Sequence, residues 1–193
     1  MEYRNTADRL NAYRHQIETL RNEMRQLQAE TEPQEVQDYR FQVPGGEIAL
    51  SDLFGDKQEL FVVHNMGTGC NSCTLWADGF NGILQHLENR AAFVVSSPED
   101  PQTQQAFKAS RGWRFRMVSH RGTDFAQDMG YARDGRWWPG VSVFRRVNGK
   151  IRRVSDAAFE PGDDFCIAWH FFDLLPEGAD GWRPKASYTE GTS

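Results

Sequence analysis

The chain has 193 residues, 22 basic against 27 acidic side chains, a formal net charge of −5, 39% apolar residues and three cysteines. That length suits one domain with an appendage and buries a full core without staples, and the acidic balance speaks against a nucleic-acid or anionic-membrane binder. No apolar run approaches the ~20 residues that span a bilayer, and the opening Met-Glu-Tyr-Arg-Asn-Thr lacks the apolar segment of a secretory signal. A cytoplasmic, reducing setting is the expectation that follows. Two of the three cysteines, Cys70 and Cys73, lie three positions apart, which is no disulfide framework.

Residues from about 4 to 30 read as one long amphipathic helix. Tyr3, Thr6, Leu10, Tyr13, Ile17, Leu20, Met24 and Leu27 recur at alternating spacings of three and four, an a/d heptad seam between polar positions. The stripe either packs within its own chain or pairs with a partner, a second copy giving a homodimer. Pro33 disfavours helix in the residue before it and ends the segment.

Tyr39–Val43 alternates like a strand, Pro44-Gly45-Gly46-Glu47 is turn chemistry, and Ile48–Leu50 returns as a second strand. Ser51–Gly55 reads as a helical turn and a loop. Glu59–Met66 is a continuous apolar run, the mark of a strand buried on both faces. Gly67-Thr68-Gly69 then leads into Cys70-Asn71-Ser72-Cys73 and a helical pattern from Thr74 to Asn89.

A buried strand over 91–97, a helix over 98–111 and a strand over 115–120 follow. After a loop from Arg121 to Pro139, Gly140–Val147 and Lys150–Val154 form a hairpin across Asn148-Gly149, a type I′ turn pair. Arg145, Arg146, Lys150, Arg152 and Arg153 crowd this hairpin, as charges do on an exposed edge strand. Asp163–Leu175 reads as an apolar helix, with Cys166 a core residue packed near His170.

The alternation predicts an α/β fold with a central mixed sheet flanked by helices. A buried strand ending in CxxC at a helix start is the arrangement of thioredoxin-like proteins. The expected organisation is an N-terminal amphipathic helix over 1–38, a thioredoxin-like domain over 39–176 and a polar tail over 177–193.

A thiolate attacks disulfides and peroxides, and the unpaired N–H groups of a helix start lower a thiol pKa. Cys70 is the expected nucleophile; Cys73, one turn deeper, is the expected resolving thiol. A CxxC pair also serves as half of a zinc site, but Cys166, His64 and His120 form no second ligand pair at compatible spacing. No metal or cofactor is therefore expected. Inert structural CxxC pairs stay open as an alternative.

His64, six residues before Cys70, is a candidate for moving a proton to the deeper thiol, or else a histidine satisfied by the backbone. His120 is a weaker candidate of the same kind. In this architecture a proline at the position of Pro139 often has a cis peptide bond and faces the cysteines; an ordinary trans proline is the alternative. Trp137 and Trp138 beside it either line a substrate groove or cap the core. Asp78 is odd within a helix. Gly79 and Gly82 each cost about 1 kcal/mol against alanine there, which suggests close backbone packing or a kink.

The stretch His64-Asn65-Met66, Gly69-Cys70-Asn71-Ser72-Cys73 and Trp76-Ala77-Asp78-Gly79-Phe80-Asn81-Gly82 resembles a bacterial thioredoxin-like family of unknown function. Val95-Ser96-Ser97, Arg111-Gly112-Trp113, Asp124-Phe125 and Pro139-Gly140-Val141-Ser142-Val143-Phe144 extend the likeness to roughly residues 5 to 176. The resemblance implies a thioredoxin- or peroxiredoxin-like fold and names no substrate. Thioredoxins usually carry Trp before the first cysteine and Gly-Pro between the pair, where this chain has Gly69 and Asn71-Ser72. Peroxiredoxins resemble a P-x-x-x-T-x-x-C pattern, and neither Gly67 nor Cys70, each three before a cysteine, supplies that threonine.

The expected activity is thiol–disulfide exchange on a protein or small-molecule thiol or disulfide. A thiol peroxidase, or an interaction protein with a vestigial CxxC, are the alternatives. Neither nucleic acid nor membrane is an expected partner.

Overall fold

The computed structural model describes residues 3–188. The chain divides into two compact units between Gln34 and Glu35. The first is essentially one helix, α1 (Tyr3–Glu30), in which no residue is buried.

The second unit holds strands β1 (Gln34–Val36, shared with the boundary), β2 (Arg40–Val43), β3 (Gly46–Ala49), β4 (Glu59–His64), β5 (Ala92–Ser97) and β6 (Arg116–Ser119). The short β7 (Ala132–Arg133) and β8 (Arg136–Trp137) pair with each other, and β9 (Gly140–Val147) and β10 (Lys150–Ala158) complete the set. The helices are α2 (Asn71–Arg90), α3 (Pro101–Arg111), α4 (Phe125–Asp128) and α5 (Ile167–Phe172), with a 3-10 turn over Leu50–Phe54.

One eight-stranded sheet runs in the order β1-β10-β9-β4-β5-β6-β2-β3. Strands β4, β5 and β6 are parallel, whereas β9 joins β4, and β10 joins β9, antiparallel. The helices α2 and α3 provide the crossovers that parallel neighbours require. This is the thioredoxin-like α/β architecture expected from the alternation of elements.

Strand parity sorts the core into two layers. Phe93, Val95, Phe115 and Val63 join Trp76, Phe80 and Cys73 of α2 on one face. Leu60, Val62, Val94 and Phe144 join Phe41, Leu53, Phe54 and Phe125 on the other. Both faces of the central strands are dry, which is why their sequences run apolar without alternation.

The W-A-D-G-F-N-G element fastens α2 to its neighbours. Asp78 accepts from Trp113 Nε1 at 2.7 Å and pairs with Arg111. Asn81 Oδ1 accepts the Arg114 N–H at 2.8 Å, and Trp76 Nε1 donates to Asp163 at 3.2 Å. Close packing does not account for the glycines: a Cβ on Gly79 or Gly82 meets nothing within 4 Å.

Other expectations change. The helix expected over 163–175 is only Ile167–Phe172. Asp163 accepts the N–H groups of Glu160 and Phe165 at 3.1 and 2.9 Å, holding the chain in a local turn that competes with helix. Cys166 is buried in the core as expected but stands at the N-cap position, and exposed His170 lies 3.4 Å from Asp164.

The basic hairpin is not a sheet edge, since β1 flanks β10. Arg145 pairs with Glu59, Lys150 and Arg152 with Glu35, and Arg146 lies 4.7 Å over the Phe54 ring. The supposed polar tail is also structured where described. Trp182 packs with Trp169 and Phe172 at 5.5 and 4.8 Å, and Arg111 donates to the Ala186 carbonyl. The rest of that tail lies outside the described residues.

Candidate functional site

The turn between β4 and α2 is held from both sides. Asn65 Oδ1 accepts the Gly67 N–H at 2.8 Å. Glu99 accepts the Thr68 N–H at 2.5 Å and the Ser97 hydroxyl at 3.2 Å. Gly67 has φ +107°, and a Cβ there would sit 2.7 Å from Glu99 Oε1, so the turn requires glycine. Asn65 and Glu99 are thus positioning groups; sequence reading singles out neither, because Glu99 lies 29 residues beyond Cys70 on the next strand's exit.

Cys70 is the N-cap residue of α2, and its Sγ accepts the Cys73 N–H at 3.1 Å. Sulfur here takes the place of the Ser, Thr, Asp or Asn oxygen usual at this position. Cys70 is partly exposed and Cys73 buried, and all three cysteines are free thiols. The Cys70 thiol is lowered to about 7, first by the hydrogen bond from the Cys73 thiol and then by the N–H groups of Cys73 and Ser72, against a burial effect that raises it. The Cys73 thiol moves strongly upward, because its proton is shared with Cys70 and because it is buried. The pair is therefore split into an accepting sulfur with a lowered pKa at the surface and a proton-donating thiol beneath it.

Of the expected supporting residues, Pro139 and His64 border Cys73. Both line a narrow gap with Cys73, Val63, Trp76 and Phe159. The Pro139 peptide bond is trans, in contrast to the cis geometry considered from the sequence; no cis bond occurs among the described residues. The backbone around it is paired in an extended run, with Trp138 N–H donating to the Tyr131 carbonyl at 2.9 Å and Phe159 N–H to the Pro139 carbonyl at 3.0 Å.

The His64 ring, however, packs on the other side of the sheet. Its Nε2 is 2.9 Å from Ser142 Oγ, and it stacks on Tyr131 at 4.0 Å and on Phe125 at 5.3 Å. Phe125 and Tyr131 belong to the second core layer, away from Cys73. His120 lies on this side too, with Nδ1 2.8 Å from Ser96 Oγ. Burial holds both imidazoles neutral, His64 well below its usual value and His120 down to about 4. Trp138 is exposed beside Gly130, Tyr131, Arg133 and Ala158, and Trp137 lines a different cleft with His120. Neither tryptophan lines the surface at Cys70.

That surface is a cleft of about 570 Å³. Cys70, Asn71 and Ser72 form one side; Pro161, Trp169, Asp173, Trp182 and Arg183 are among the residues of the other. The wall was not foreseen. Its one sequence signal is Trp182 within an otherwise polar stretch. Among the described residues, no three His, Cys, Asp or Glu side chains are grouped to hold a metal ion, and no helix is long and apolar enough to cross a membrane.

The solved structures similar to this chain include a cysteine-to-serine mutant of PrxQ from Xylella fastidiosa, with TM-score 0.56 and 14% identity over 66% of this chain and 85% of that one. Reduced Prx3 from Vibrio vulnificus in complex with hydrogen peroxide gives 0.54 at 12%, covering 69% and 87%. The peroxidoxin BcpB from Mycobacterium tuberculosis gives 0.52 at 21%, covering 65% and 84%. At these identities the likeness is one of fold. No curated protein matches the sequence. The model of the family described as "Bacterial protein of unknown function (DUF899)" matches residues 2–190, and the chain belongs to that family.

Proposed function

We propose that the protein is a thiol–disulfide oxidoreductase that cycles Cys70 and Cys73 between dithiol and disulfide. The observation that carries this reading is Cys70 Sγ capping α2 with a thiol lowered to about 7, above a buried partner one turn on. The Cys70 thiolate attacks one sulfur of a substrate disulfide, forming a mixed disulfide and expelling the other half as a thiolate. Cys73 then attacks Cys70 Sγ and breaks the mixed bond. Its proton passes to the departing sulfur, and the internal disulfide forms. Two electrons move from protein to substrate, and a reducing cytoplasm restores the dithiol. Pro139 keeps a supporting part beside Cys73. The positions of His64 and Trp138 support no direct part for either at the sulfurs.

Titration of the pair in graded thiol–disulfide buffers tests this, with a single two-electron transition expected. Cys70→Ser is expected to abolish disulfide reduction. Unchanged reduction by that variant would overturn the assignment of Cys70.

A second reading, thiol peroxidase, draws on the fold relatives, one of them named as a complex with hydrogen peroxide. Cys70 thiolate would take one peroxide oxygen as a sulfenic acid, and Cys73 would condense with it, releasing water. Fast consumption of one peroxide equivalent with disulfide formation favours this reading. Gly67 in place of the expected threonine weighs against it. The heptad seam of α1 supports a third element of the proposal, self-association through this helix into a homodimer.

A further inference from the structure

The cleft beside Cys70 carries information about the substrate. Its volume, about 570 Å³, is that of a small-molecule site. Segment 161–184 lines it, so the nucleophile opens into a concavity rather than onto a flat face of the kind a protein disulfide needs. Two charged groups in the lining lack partners. Asp173 and Arg183 are exposed, and their side chains form no ion pair or hydrogen bond among the described residues. The cleft therefore offers one anion, one cation and a reactive sulfur, with Trp169 and Trp182 in its wall.

We infer that the cleft takes a low-molecular-weight disulfide with amino-acid ends, a cystine-type zwitterion. Asp173 receives its ammonium and Arg183 its carboxylate. The binding stands on the cleft itself; its chemical outcome rests on the oxidoreductase reading. Reduction breaks the ligand S–S bond, forms the Cys70–Cys73 bond, and passes the two thiol protons and two electrons to a pair of cysteine molecules.

Binding is measured first, with Cys70→Ser protein, by titrating cystine against the fluorescence of Trp169 and Trp182. A saturable change is expected, weakened about tenfold by Arg183→Gln and by Asp173→Asn in the same background, the loss typical of one charge-assisted contact. In Cys70 protein, kcat/KM for cystine relative to bis(2-hydroxyethyl) disulfide is expected to fall about tenfold with either substitution. Insulin disulfides are expected to be poor substrates. Absence of saturable cystine binding, or a selectivity ratio that neither substitution moves, overturns the inference. Saturable, charge-dependent binding with no reduction of any disulfide upholds the cleft and overturns the oxidoreductase reading. Reduction of insulin and hydroxyethyl disulfide without cystine binding does the reverse.

Discussion

The backbone N–H of Cys73 donates to the Sγ of Cys70 across 3.1 Å. One contact thus caps a twenty-residue helix and holds negative charge on the sulfur that faces the cleft. A thiolate gains from the unpaired amides at a helix start, and the helix gains an acceptor for one of them.

That arrangement fixes a pH profile. With the thiol lowered to about 7 from 9, the thiolate fraction of Cys70 rises as pH rises through 7 and is nearly complete by pH 8. Alkylation by iodoacetamide is expected to follow that curve, with modification at Cys70 while buried, protonated Cys73 stays unmodified. Cys73→Ala removes the largest contribution and moves the midpoint upward. A midpoint near 9 in the unmodified protein would contradict the account; peptide-resolved alkylation rates decide it.

The capping role separates from the chemical one. A serine hydroxyl is a good N-cap acceptor, so Cys70→Ser is expected to keep the stability of the parent within a few tenths of a kcal/mol. Cys70→Ala loses the cap and is expected to cost about 1 kcal/mol. Urea denaturation of the two variants gives the comparison, and equal stabilities would mean the cap contributes nothing.

The Cys70–Cys73 turn was legible in the sequence because every part of it is local: strand, glycine-rich turn, cysteines and helix follow one another within about fifteen residues. The placement of the His64 ring was not. Leu60, Val62 and His64 share one face, and Phe61 and Val63 the other, but both faces are apolar. Such a strand does not say which side α2 covers. Nor does Asp78 announce itself as a tie to Arg111 and Trp113, which lie more than thirty residues away. The cleft wall is more remote still, since Trp169 and Trp182 reach Cys70 only through the tertiary fold.

The two buried histidines predict acid sensitivity. Each is neutral in the folded protein, while the unfolded chain binds a proton at each near pH 6.5. Below that pH the unfolded state binds more protons, so stability is complete above about 6.5 and falls as pH drops towards 4. For His120 the interval between 6.5 and about 4 corresponds to about 3 kcal/mol, at about 1.36 kcal/mol per pH unit. His120→Gln offers Ser96 an untitratable partner and is expected to lose less stability than the parent over that window. Parallel slopes in denaturation curves from pH 7 to pH 4 would contradict this.

The glycines divide into two kinds. Gly79 and Gly82 face open space within α2, so alanine at either is expected to stabilise by about 0.5–1 kcal/mol. At Gly140 a Cβ would lie 2.1 Å from Tyr131 Cε1 and 2.6 Å from the Ala157 carbonyl oxygen. The Tyr131 ring is also the one stacked on His64. Gly140→Ala is expected to destabilise by about 2–3 kcal/mol through overpacking. Thermal unfolding of the three variants checks both signs.

The seam of α1 exposes Leu10, Ile17, Leu20, Met24 and Leu27 by 46–67% of their surface. At 1.5 Å per residue the helix is about 42 Å long, enough to bring more than three heptads against a second copy. Leu and Ile at alternating three- and four-residue intervals favour that partner over a solvated single helix, because water contact leaves the whole stripe unburied. Sedimentation equilibrium of the full chain is expected to give twice the monomer mass of 22.1 kDa. Ile17→Glu with Leu20→Glu puts like charges into the seam and is expected to return the monomer. The pH profile of Cys70 alkylation is expected to stay where it was, since the groups that lower this thiol belong to the start of α2. A parent protein that sediments at the monomer mass throughout the micromolar range would show that the seam does not join two copies.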